Sequence, residues 1–553
     1  MNEFELKFEI SAQSLPKIVA AVHAKKAQLQ LLQAFYFDTI DGALAKNGLT
    51  LRMRKEGNDW VQTAKGLTSN ALDRLEHNVE IGSLATKVIE TKVSGLKTAS
   101  HAVLSHMPSI NVLRHKDEKV GKLLIKALKI KPNGPIPALI LLYETDVQRL
   151  KFIVKQAGSV IEIALDQGMV ISGGRSAALC ELEIELKQLD LKEGAPEHAI
   201  TLARTWCAKY GLWLSTINKS MKGQRLHDGV LPSQFKRTIL EAKPKLKPHA
   251  NGQQMVKAVF ESCLNQILAN ASEIASGTVI NDENHNPHAE HIHQLRVGIR
   301  RLRTAMRELS PLVDGIDSAW EKPLIDVFRR LGEARDYDHL NHVLQPQILA
   351  AGGPAFNAYI GDAKHIDVSA AVRSKAFQDT LLCLIAFVNS SYLNVSSLND
   401  AENVEDNIIN NTKKNDSHKK VRKILANRLD KLHKKIVKEG KKFLNLTETQ
   451  QHSVRKHFKR LRYLAEFSAP QLSTSAADKK RILAAITALK PVQDALGCYN
   501  DELMALQTYR TLAVTKSHAW FGVGWLSARR KKNAKKCQQE IDIFIKKTCK
   551  KTK

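Results

Sequence analysis

Cysteine is scarce and unpaired in this sequence. Seven cysteines are scattered over 553 residues, and no two of them form a Cys-x-x-Cys pair. A disulfide framework needs an even set of regularly spaced cysteines, and a structural zinc site needs paired ligands, so neither is expected. Unpaired cysteines of this kind are typical of a reducing compartment, which predicts a cytoplasmic protein.

Long apolar runs are also missing. No uninterrupted run reaches the roughly 18 apolar residues that a membrane-spanning helix requires. The chain starts Met1-Asn2-Glu3-Phe4-Glu5, with acids where a secretory signal would carry basic residues. We therefore expect a soluble protein with no membrane partner.

Acidic residues are outnumbered by basic ones. The chain has 84 Lys and Arg against 56 Asp and Glu, a net charge of +28, which favours a polyanionic partner. Residues 1–225 hold 31 basic and 23 acidic residues, so about 20 of the 28 surplus charges belong to the remainder. Aromatic residues make up only 6% and do not alternate with the basic ones. Their scarcity argues against a nucleic-acid partner, because single-strand binding relies on stacking rings.

The side-chain pattern changes between residues 225 and 250. Before this point short alternating runs bounded by Gly and Asp indicate strands, and beyond it apolar residues recur every three to four positions, as in helices. A chain of this length needs more than one core. A proline- and lysine-rich segment indicates a linker, and a polar stretch after residue 398 divides the helical part into two halves. The predicted ranges are a strand domain at 1–228, a linker at 229–250, and a helical domain at 251–553 with halves at about 251–398 and 419–553.

Several strands of the first domain carry charges on one entire face. One strand of this kind would be an ordinary solvent-facing surface, but five with dense clusters of both signs indicate more. If the sheet closes, the ionic faces line a wet lumen and the apolar faces pack outward against helices. The five runs are Glu3–Ile10, Leu51–Arg54, Arg149–Phe152, Ile161–Asp166 and Glu181–Lys187.

Such a lumen has a definite chemistry. Clustered carboxylates supply the oxygen ligands that Mg²⁺ or Mn²⁺ prefers. Arg and Lys side chains on neighbouring strands can hold phosphate oxygens that bridge to the metal. The pattern therefore indicates a site for a short, highly charged phosphate chain.

The first strand resembles a known family. Glu3-Phe4-Glu5-Leu6-Lys7 is similar to the ExExK signature that opens CYTH domains, the triphosphate tunnel metalloenzymes. The resemblance covers roughly residues 1 to 225 in order. It continues through Tyr36-Phe37-Asp38-Thr39, Gly48–Arg54, Thr63-Ala64-Lys65-Gly66, Arg74-Leu75-Glu76, the strand with Glu181, Glu183 and Glu185, and Lys219.

The resemblance implies an eight-stranded antiparallel tunnel that hydrolyses inorganic triphosphate with Mg²⁺ or Mn²⁺. Three weaker candidates could support the metal ligands, act as a base, or balance the charge of the lumen: Glu76, Glu162 and Asp166. Asn78 stands where the family often has an acid. The implied phosphate contacts are Lys7, Arg52, Arg54, Lys65, Arg74, Arg149, Lys151 and Lys219. The implied metal ligands are Glu3, Glu5, Glu183 and Glu185. The implied catalytic set is Glu3, Glu5, Lys7, Arg52, Arg54 and Lys65.

The helical part contains a repeated basic motif. Residues 293–303 and 452–462 both follow the pattern HxxRxxx[RK]RxR, and an LG element ending in Asp follows each copy. The spacing of three and four residues places the basic side chains on one helix face. A single stripe would be a solvated surface, but like charges at this spacing repel, and two copies indicate an anionic ligand. The stripes consist of His293, Arg296, Arg300 and Arg303, and of His452, Arg455, Lys459 and Arg462.

This repeat resembles the CHAD domain, an all-helical module with two similar halves that often follows a CYTH domain and is associated with polyphosphate. The resemblance implies that the two stripes bind long-chain polyphosphate. It also implies a cytoplasmic protein that associates with polyphosphate granules.

Three alternatives to an inorganic triphosphatase remain open at this point. The same tunnel fold serves adenylate cyclases and thiamine triphosphatases, although no distinctive base-binding cluster is evident near the tunnel strands. The chain could instead be a polyphosphate-binding protein without catalysis, against which the presence of Glu3, Glu5 and Lys7 argues. Phosphate contacts carry no sequence information, so a nucleic-acid binder is the third alternative.

Overall fold

The computed structural model describes residues 2–67, 73–82, 107–156, 158–188, 195–229, 239–246, 250–277, 289–354, 367–390 and 409–549. The chain divides into two compact units. The tunnel unit comprises Met1–Ile239, Ile267–His291 and Ser369–Ser391, and the helical unit comprises Leu240–Gln266, Ile292–Val368 and Tyr392–Lys553. Two segments from the helical part of the sequence therefore belong to the tunnel unit.

In its described residues the tunnel unit has nine antiparallel strands. These are β1 (Asn2–Glu9), β2 (Gln28–Asp38), β3 (Leu49–Glu56), β4 (Asp59–Leu67), β5 (Asp73–Gly82), β6 (Ile140–Gln156), β7 (Ser159–Ser172), β8 (Arg175–Gln188) and the short β9 (Trp213–Leu214). Its first helices are α1 (Leu15–His23), α2 (Ala43–Lys46), α3 (Lys119–Ala127), α4 (Ala195–Tyr210) and α5 (Lys219–His227).

Eight of the strands form a closed ring. The sheet order is β5-β4-β3-β2-β6-β7-β8-β1-β9, and β5 also pairs with β1, which closes the ring and leaves β9 as an appendage on β1. The closing register pairs Asn2 with Leu75, Glu3 with Arg74 and Phe4 with Asp73. The prediction of an eight-stranded antiparallel tunnel followed by a helical domain is confirmed.

Strand alternation separates the two faces of the ring. On β1, Leu6 and Phe8 are fully buried on the outward face, whereas Lys7 lies on the face that lines the lumen. On β3 the outward residues Leu49 and Leu51 pack against a cluster that includes Val120 and Leu124 of α3. The apolar faces thus provide the core outside the ring, and the ionic faces are left for the lumen.

Helix α5 fills one end of the lumen. Leu226 of α5 packs against an apolar cluster on lumen-facing strand positions, formed by Leu32, Val147, Val170 and Leu179. Beside it the rings of Tyr36 and Tyr143 stack with their centroids 4.7 Å apart. Asn218 caps the helix by accepting a hydrogen bond from the backbone N–H of Met221, at 2.7 Å. Apolar and aromatic side chains therefore line the lumen beside Leu226, and the ionic residues lie beyond them.

Later helices supply the remaining contacts of the tunnel unit. They are residues 267–276 of α6 (Gly252–Ser276), the first residues of α7 (Ala289–Leu309), α10 (Val368–Arg373) and α11 (Lys375–Asn389). Arg225 of α5 forms a buried ion pair with Glu273 of α6 at 2.6 Å. The backbone N–H of Leu214 on β9 donates to Oε1 of Gln378 on α11 at 2.8 Å.

The helical unit consists of long helices around a leucine- and phenylalanine-rich core. Besides the other parts of α6 and α7 it contains α8 (Glu321–His339), α9 (Gln345–Ala350), α12 (Ile409–Gly440), α13 (Glu448–Leu472), α14 (Ala476–Ala513) and α15 (Ala519–Cys549). A π-helical turn at Leu340–Leu344 joins α8 to α9. Of the polar stretch after residue 398, residues 399–408 lie outside the described part, and the rest belongs to α12.

Among the described helices, none combines the length and the apolar composition that a bilayer span requires.

Gly223 of α5 tests how tightly this helix fits the ring. A Cβ at Gly223 would lie 2.1 Å from Cδ2 of Tyr143. Gly223→Ala should therefore displace the aromatic ring of Tyr143 and lower the free energy of unfolding by about 1–3 kcal/mol. Calorimetry of the full chain measures this change. Gly497→Ala in α14 is the matched control, because a Cβ there meets nothing within 4 Å. It should be neutral or stabilise by up to about 1 kcal/mol, and equal effects of the two variants would contradict the tight fit.

Candidate functional site

The ring places a basic wall opposite an acidic wall. In a closed ring of eight strands, positions four strands apart face each other, and β3 lies four strands from β8, as β4 does from β7. The lumen positions of β3 and β4 hold Arg52, Arg54 and Lys65, and those of β7 and β8 hold chiefly carboxylates. A ligand in the lumen therefore meets cations on one side and carboxylates on the other.

The basic wall carries more positive charge than its carboxylates balance. Glu76 on β5 contacts Lys65 and lies 4.0 Å from Nη2 of Arg52. Burial, followed by repulsion from Arg52, lowers the pKa of Arg54. Burial opposes the charge of Arg52 as well, but Tyr36 and Glu76 more than offset it and raise the pKa of Arg52. An anion placed here would relieve the repulsion between the two guanidinium groups.

The acidic wall brings three carboxylates together. Asp166 on β7 and Glu181 and Glu183 on β8 each offer an oxygen, and these oxygens lie within 4.8 Å of one another. Burial alone would raise the pKa of Glu181 and Glu183, yet neighbouring cations, Lys219 foremost, lower the pKa of Glu181 to about 2 and that of Glu183 well below its usual range. We name these three residues the carboxylate triad.

Two cations, Arg149 and Lys219, each contact at least two members of the carboxylate triad. Arg149 on β6 donates two hydrogen bonds to Asp166, at 2.7 and 2.6 Å, and also contacts Glu183. Nζ of Lys219 lies 2.8 Å from Asp166 and 2.6 Å from Glu183, and it contacts Glu181. These ion pairs thus compensate the charge of the carboxylate triad.

Further predicted residues on β1, β6 and β8 also lie at lumen positions of their strands. The register pairs Glu5 with Glu185 and Lys7 with Glu183 across β1 and β8, and Lys7 donates to the carbonyl of Ile217. Nζ of Lys151 lies 3.8 Å from Glu162. The backbones of Glu3 and Arg74 pair between β1 and β5, but their side chains lie outside the described residues.

Two residues of this site have no role in the sequence-based prediction. Glu181 belongs to the carboxylate triad, and Lys222 of α5 contacts Glu181 at 3.1 Å and Glu9 at 2.8 Å. Period-two alternation places Glu181 on the same face as Glu183, which is the signal that could have identified it. Lys222 follows Lys219 by three residues and so lies on the same helix face.

The residues of the acidic wall suit a hard divalent cation. The carboxylate triad is a set of three oxygen donors on rigid strands, with no sulfur or imidazole among them. Such donor sets favour Mg²⁺ or Mn²⁺ over zinc.

In the helical unit the two stripes form one basic cluster. Arg296 and Arg300 on α7 and Arg455 and Lys459 on α13 are electrostatic neighbours, and Arg335 on α8 joins them. Burial, and then Arg300, lowers the pKa of Arg296 to about 10; burial, Arg300 and Arg455 lower the pKa of Lys459 to about 6. Asp336 and Asp501 offset only part of this repulsion. The remaining repulsion indicates a site that is completed by an anion.

Arg296 is oriented by its surroundings within this cluster. It donates to the carbonyl of Phe328 on α8 at 2.6 Å, and its guanidinium carbon lies 4.1 Å from the centre of the Phe328 ring. Arg335 had no assigned role in the sequence, although it lies in the LG element that follows the first stripe.

Other stripe residues have partners of their own. Arg303 pairs with Glu321 at 2.6 Å, and Arg462 pairs with Glu466 at 2.7 Å and with Glu241 at 2.5 Å. His452 is hydrogen-bonded to Asn500 through Nδ1 at 2.7 Å. The described structure also places His293 on α7, in contact with neighbouring groups.

Two domain families match the chain, one in its strand-rich part and one in its helical part. Residues 1–219 match the CYTH domain family, and residues 258–510 match the CHAD domain family. An inorganic triphosphatase from Haemophilus influenzae is 26% identical over 229 residues, which cover 41% of this chain and 55% of that protein. The chain therefore spans about half the length of the curated relative that it matches.

Two solved structures are similar to parts of the chain. The CHAD domain from the plant Ricinus communis is 22% identical, with a TM-score of 0.40, and the match covers 56% of this chain and 97% of that one. A proposed adenylyl cyclase from Hippeastrum that reveals a dominant triphosphatase activity is 16% identical, with a TM-score of 0.28, covering 41% and 97% of the two chains.

Glu76 should make the tunnel unit sensitive to acid. Burial would raise its pKa, but Lys65 and Arg52 lower it from 4.5 to about 2. The ionised carboxylate therefore stabilises the fold above pH 4.5, and this contribution is lost as the pH falls towards 2. Glu76→Gln should lower the free energy of unfolding by about 1–3 kcal/mol at pH 7, and the difference should vanish near pH 2.

Chemical denaturation of the full chain between pH 2 and pH 7 measures this convergence. Glu80→Gln is the matched control, because Glu80 lies four residues further along β5 and is exposed. A Glu76→Gln deficit that stays constant over the whole pH range would contradict the electrostatic role of this carboxylate.

Proposed function

Because the chain consists of a CYTH domain followed by a CHAD domain, we propose that its tunnel hydrolyses inorganic triphosphate with Mg²⁺ or Mn²⁺ and that its helical domain binds long-chain polyphosphate. The domains take the ranges 1–228 and 251–553, with a linker between them. The observation that carries the proposal is the pair of facing walls, basic on β3 and β4 and acidic on β7 and β8.

Each wall has its own part in the proposed reaction. Arg52, Arg54 and Lys65 bind the phosphate oxygens and orient the chain, with Lys7, Arg74, Arg149, Lys151 and Lys219 as further phosphate contacts. Glu3, Glu5, Glu183 and Glu185 hold the metal, together with Asp166 and Glu181 of the carboxylate triad. When bound, the metal supplies charge neutralisation of the phosphates and activation of the attacking water.

The substrate assay distinguishes inorganic triphosphatase from the other activities of this fold. The purified full chain is incubated with tripolyphosphate, ATP or thiamine triphosphate, each with Mg²⁺, Mn²⁺ or EDTA. We expect release of phosphate from tripolyphosphate, fastest among the three, and none in EDTA. Cyclic AMP as the sole product, or preference for thiamine triphosphate, would reject the proposal.

Removing the first two carboxylates separates catalysis from polyphosphate binding. Glu3→Ala/Glu5→Ala should lower hydrolysis about 100-fold or more, because the metal loses two ligands, while binding of long-chain polyphosphate stays unchanged. The control is Glu80→Ala, on the exposed part of β5. Hydrolysis that persists in the double variant would contradict the assignment of these ligands, and loss of both properties would contradict independent roles.

We propose that the basic cluster of the helical unit is the polyphosphate site. Its members Arg296, Arg300, Arg335, Arg455 and Lys459 repel one another, so each phosphate that enters offsets several unfavourable contacts. His293, Arg303, His452 and Arg462 extend the site along the two stripes. A chain that binds polyphosphate in this way would be found in the cytoplasm beside polyphosphate granules.

The polyphosphate site is tested by charge removal. Arg300→Ala/Arg455→Ala should weaken polyphosphate binding about 10-fold or more and reduce its salt dependence, since fewer counterions are released. Lys434→Ala is the control, because Lys434 is exposed and its charge is already paired with Asp430 at 2.7 Å. RNA at matched salt serves as competitor: displacement of polyphosphate by RNA at equal phosphate concentration would favour a nucleic-acid binder instead.

A further inference from the structure

Lys219 lies at the centre of the carboxylate triad. Its Nζ is within 2.8 Å of Asp166 and 2.6 Å of Glu183, and it also contacts Glu181. These are the same three residues whose oxygens lie within 4.8 Å of one another. The ammonium group therefore stands where the oxygen donors converge.

No other described lysine holds all three carboxylates. Lys222, one helical turn further along α5, contacts Glu181 and Glu9 and has no ion pair with Asp166 or Glu183. Arg149 contacts Asp166 and Glu183 from β6, through the two edges of a planar group. Within the part of the chain that the structure describes, the ammonium of Lys219 alone combines a compact charge with ion pairs to all three carboxylates.

Electrostatic forces tie this lysine to the triad. The ion pairs place the positive charge of Lys219 among the three carboxylates. Burial would lower the pKa of Lys219, but Asp166, Glu181 and Glu183 raise it well above its usual range. A divalent cation that binds among these oxygens meets a positive charge already there, and the two repel strongly at such a distance.

We propose that Lys219 is a built-in cation that competes with the divalent metal for the carboxylate triad. The inference rests on the proposed function, since it concerns the metal of that reaction. It adds how the binding of the metal and the binding of triphosphate depend on each other. When the metal takes Glu183 and Asp166, the lysine leaves them and its ammonium turns to the phosphate chain. When phosphate takes the lysine, the carboxylates become free for the metal.

Metal and triphosphate therefore bind with positive coupling. The metal alone binds weakly because it must displace an ammonium group that has no better partner. In the presence of triphosphate the displaced ammonium gains a phosphate contact, so the cost of displacement falls. The lysine thus suppresses metal binding in the absence of substrate.

The first test titrates the full chain with Mn²⁺ alone and measures the affinity by isothermal titration calorimetry. Lys219→Gln should bind Mn²⁺ about 10-fold more tightly than the wild type, because the competing charge is gone. Lys219→Arg should stay near the wild type, because it retains the charge. Lys222→Gln is the matched control on the same helix and should change the affinity less than about 3-fold, since it contacts only one member of the triad. Unchanged or weaker Mn²⁺ binding by Lys219→Gln would overturn the proposal.

The second test uses the wild-type chain and so does not depend on whether a variant folds. An amine-reactive reagent labels lysines with and without Mn²⁺, and mass spectrometry quantifies Lys219 against Lys222. We expect Mn²⁺ to increase labelling of Lys219 relative to Lys222. Mn²⁺ that binds without changing this ratio would contradict displacement of the lysine.

These readouts separate the inference from the proposed activity. If Lys219→Gln binds Mn²⁺ more tightly but the wild type hydrolyses no triphosphate, the competition stands and the triphosphatase fails. If hydrolysis is found but Mn²⁺ affinity is the same in both chains, the competition alone is rejected.

Discussion

Compensation of charge inside a closed sheet is the constraint on which this structure depends. Burying an ionised side chain costs several kcal/mol unless opposite charges and hydrogen bonds surround it. The ring meets this requirement by interleaving signs: Arg149 sits between Asp166 and Glu183, and Glu76 lies between Lys65 and Arg52. On the basic wall two carboxylates stand against three cations. An added anion is therefore stabilised at the basic wall.

The strand faces could be predicted from the sequence, but the opposition of the walls could not. Strict alternation in β1 and β8 identifies which residues share a face, because the period of two is a local property. Which strands face each other follows from the ring order, with β2 beside β6 and β5 beside β1. That order is set by contacts between distant parts of the chain. The resemblance implied a phosphate contact for Lys219, whereas the structure pairs it with carboxylates 36 to 53 residues earlier in the sequence.

The helical unit shows the same limit. The repeated motif predicted two basic stripes, and its three- and four-residue spacing is enough to place each stripe on one helix face. It does not reveal which members are neutralised elsewhere, as Arg303 is by Glu321 and Arg462 by Glu241. Nor does it reveal that Arg335 from another helix joins the cluster. The partner of a long side chain depends on the tertiary fold. The helical pattern specifies only the face of the helix on which that side chain lies.

Helix α5 connects the apolar and the ionic parts of the lumen. Leu226 packs against the apolar cluster, and Lys219, about two helical turns earlier, contacts the carboxylate triad. A shift of this helix along its axis would therefore move the leucine and the ammonium group together. The position of Lys219 is thus set by apolar packing at the other end of its helix as well as by charge.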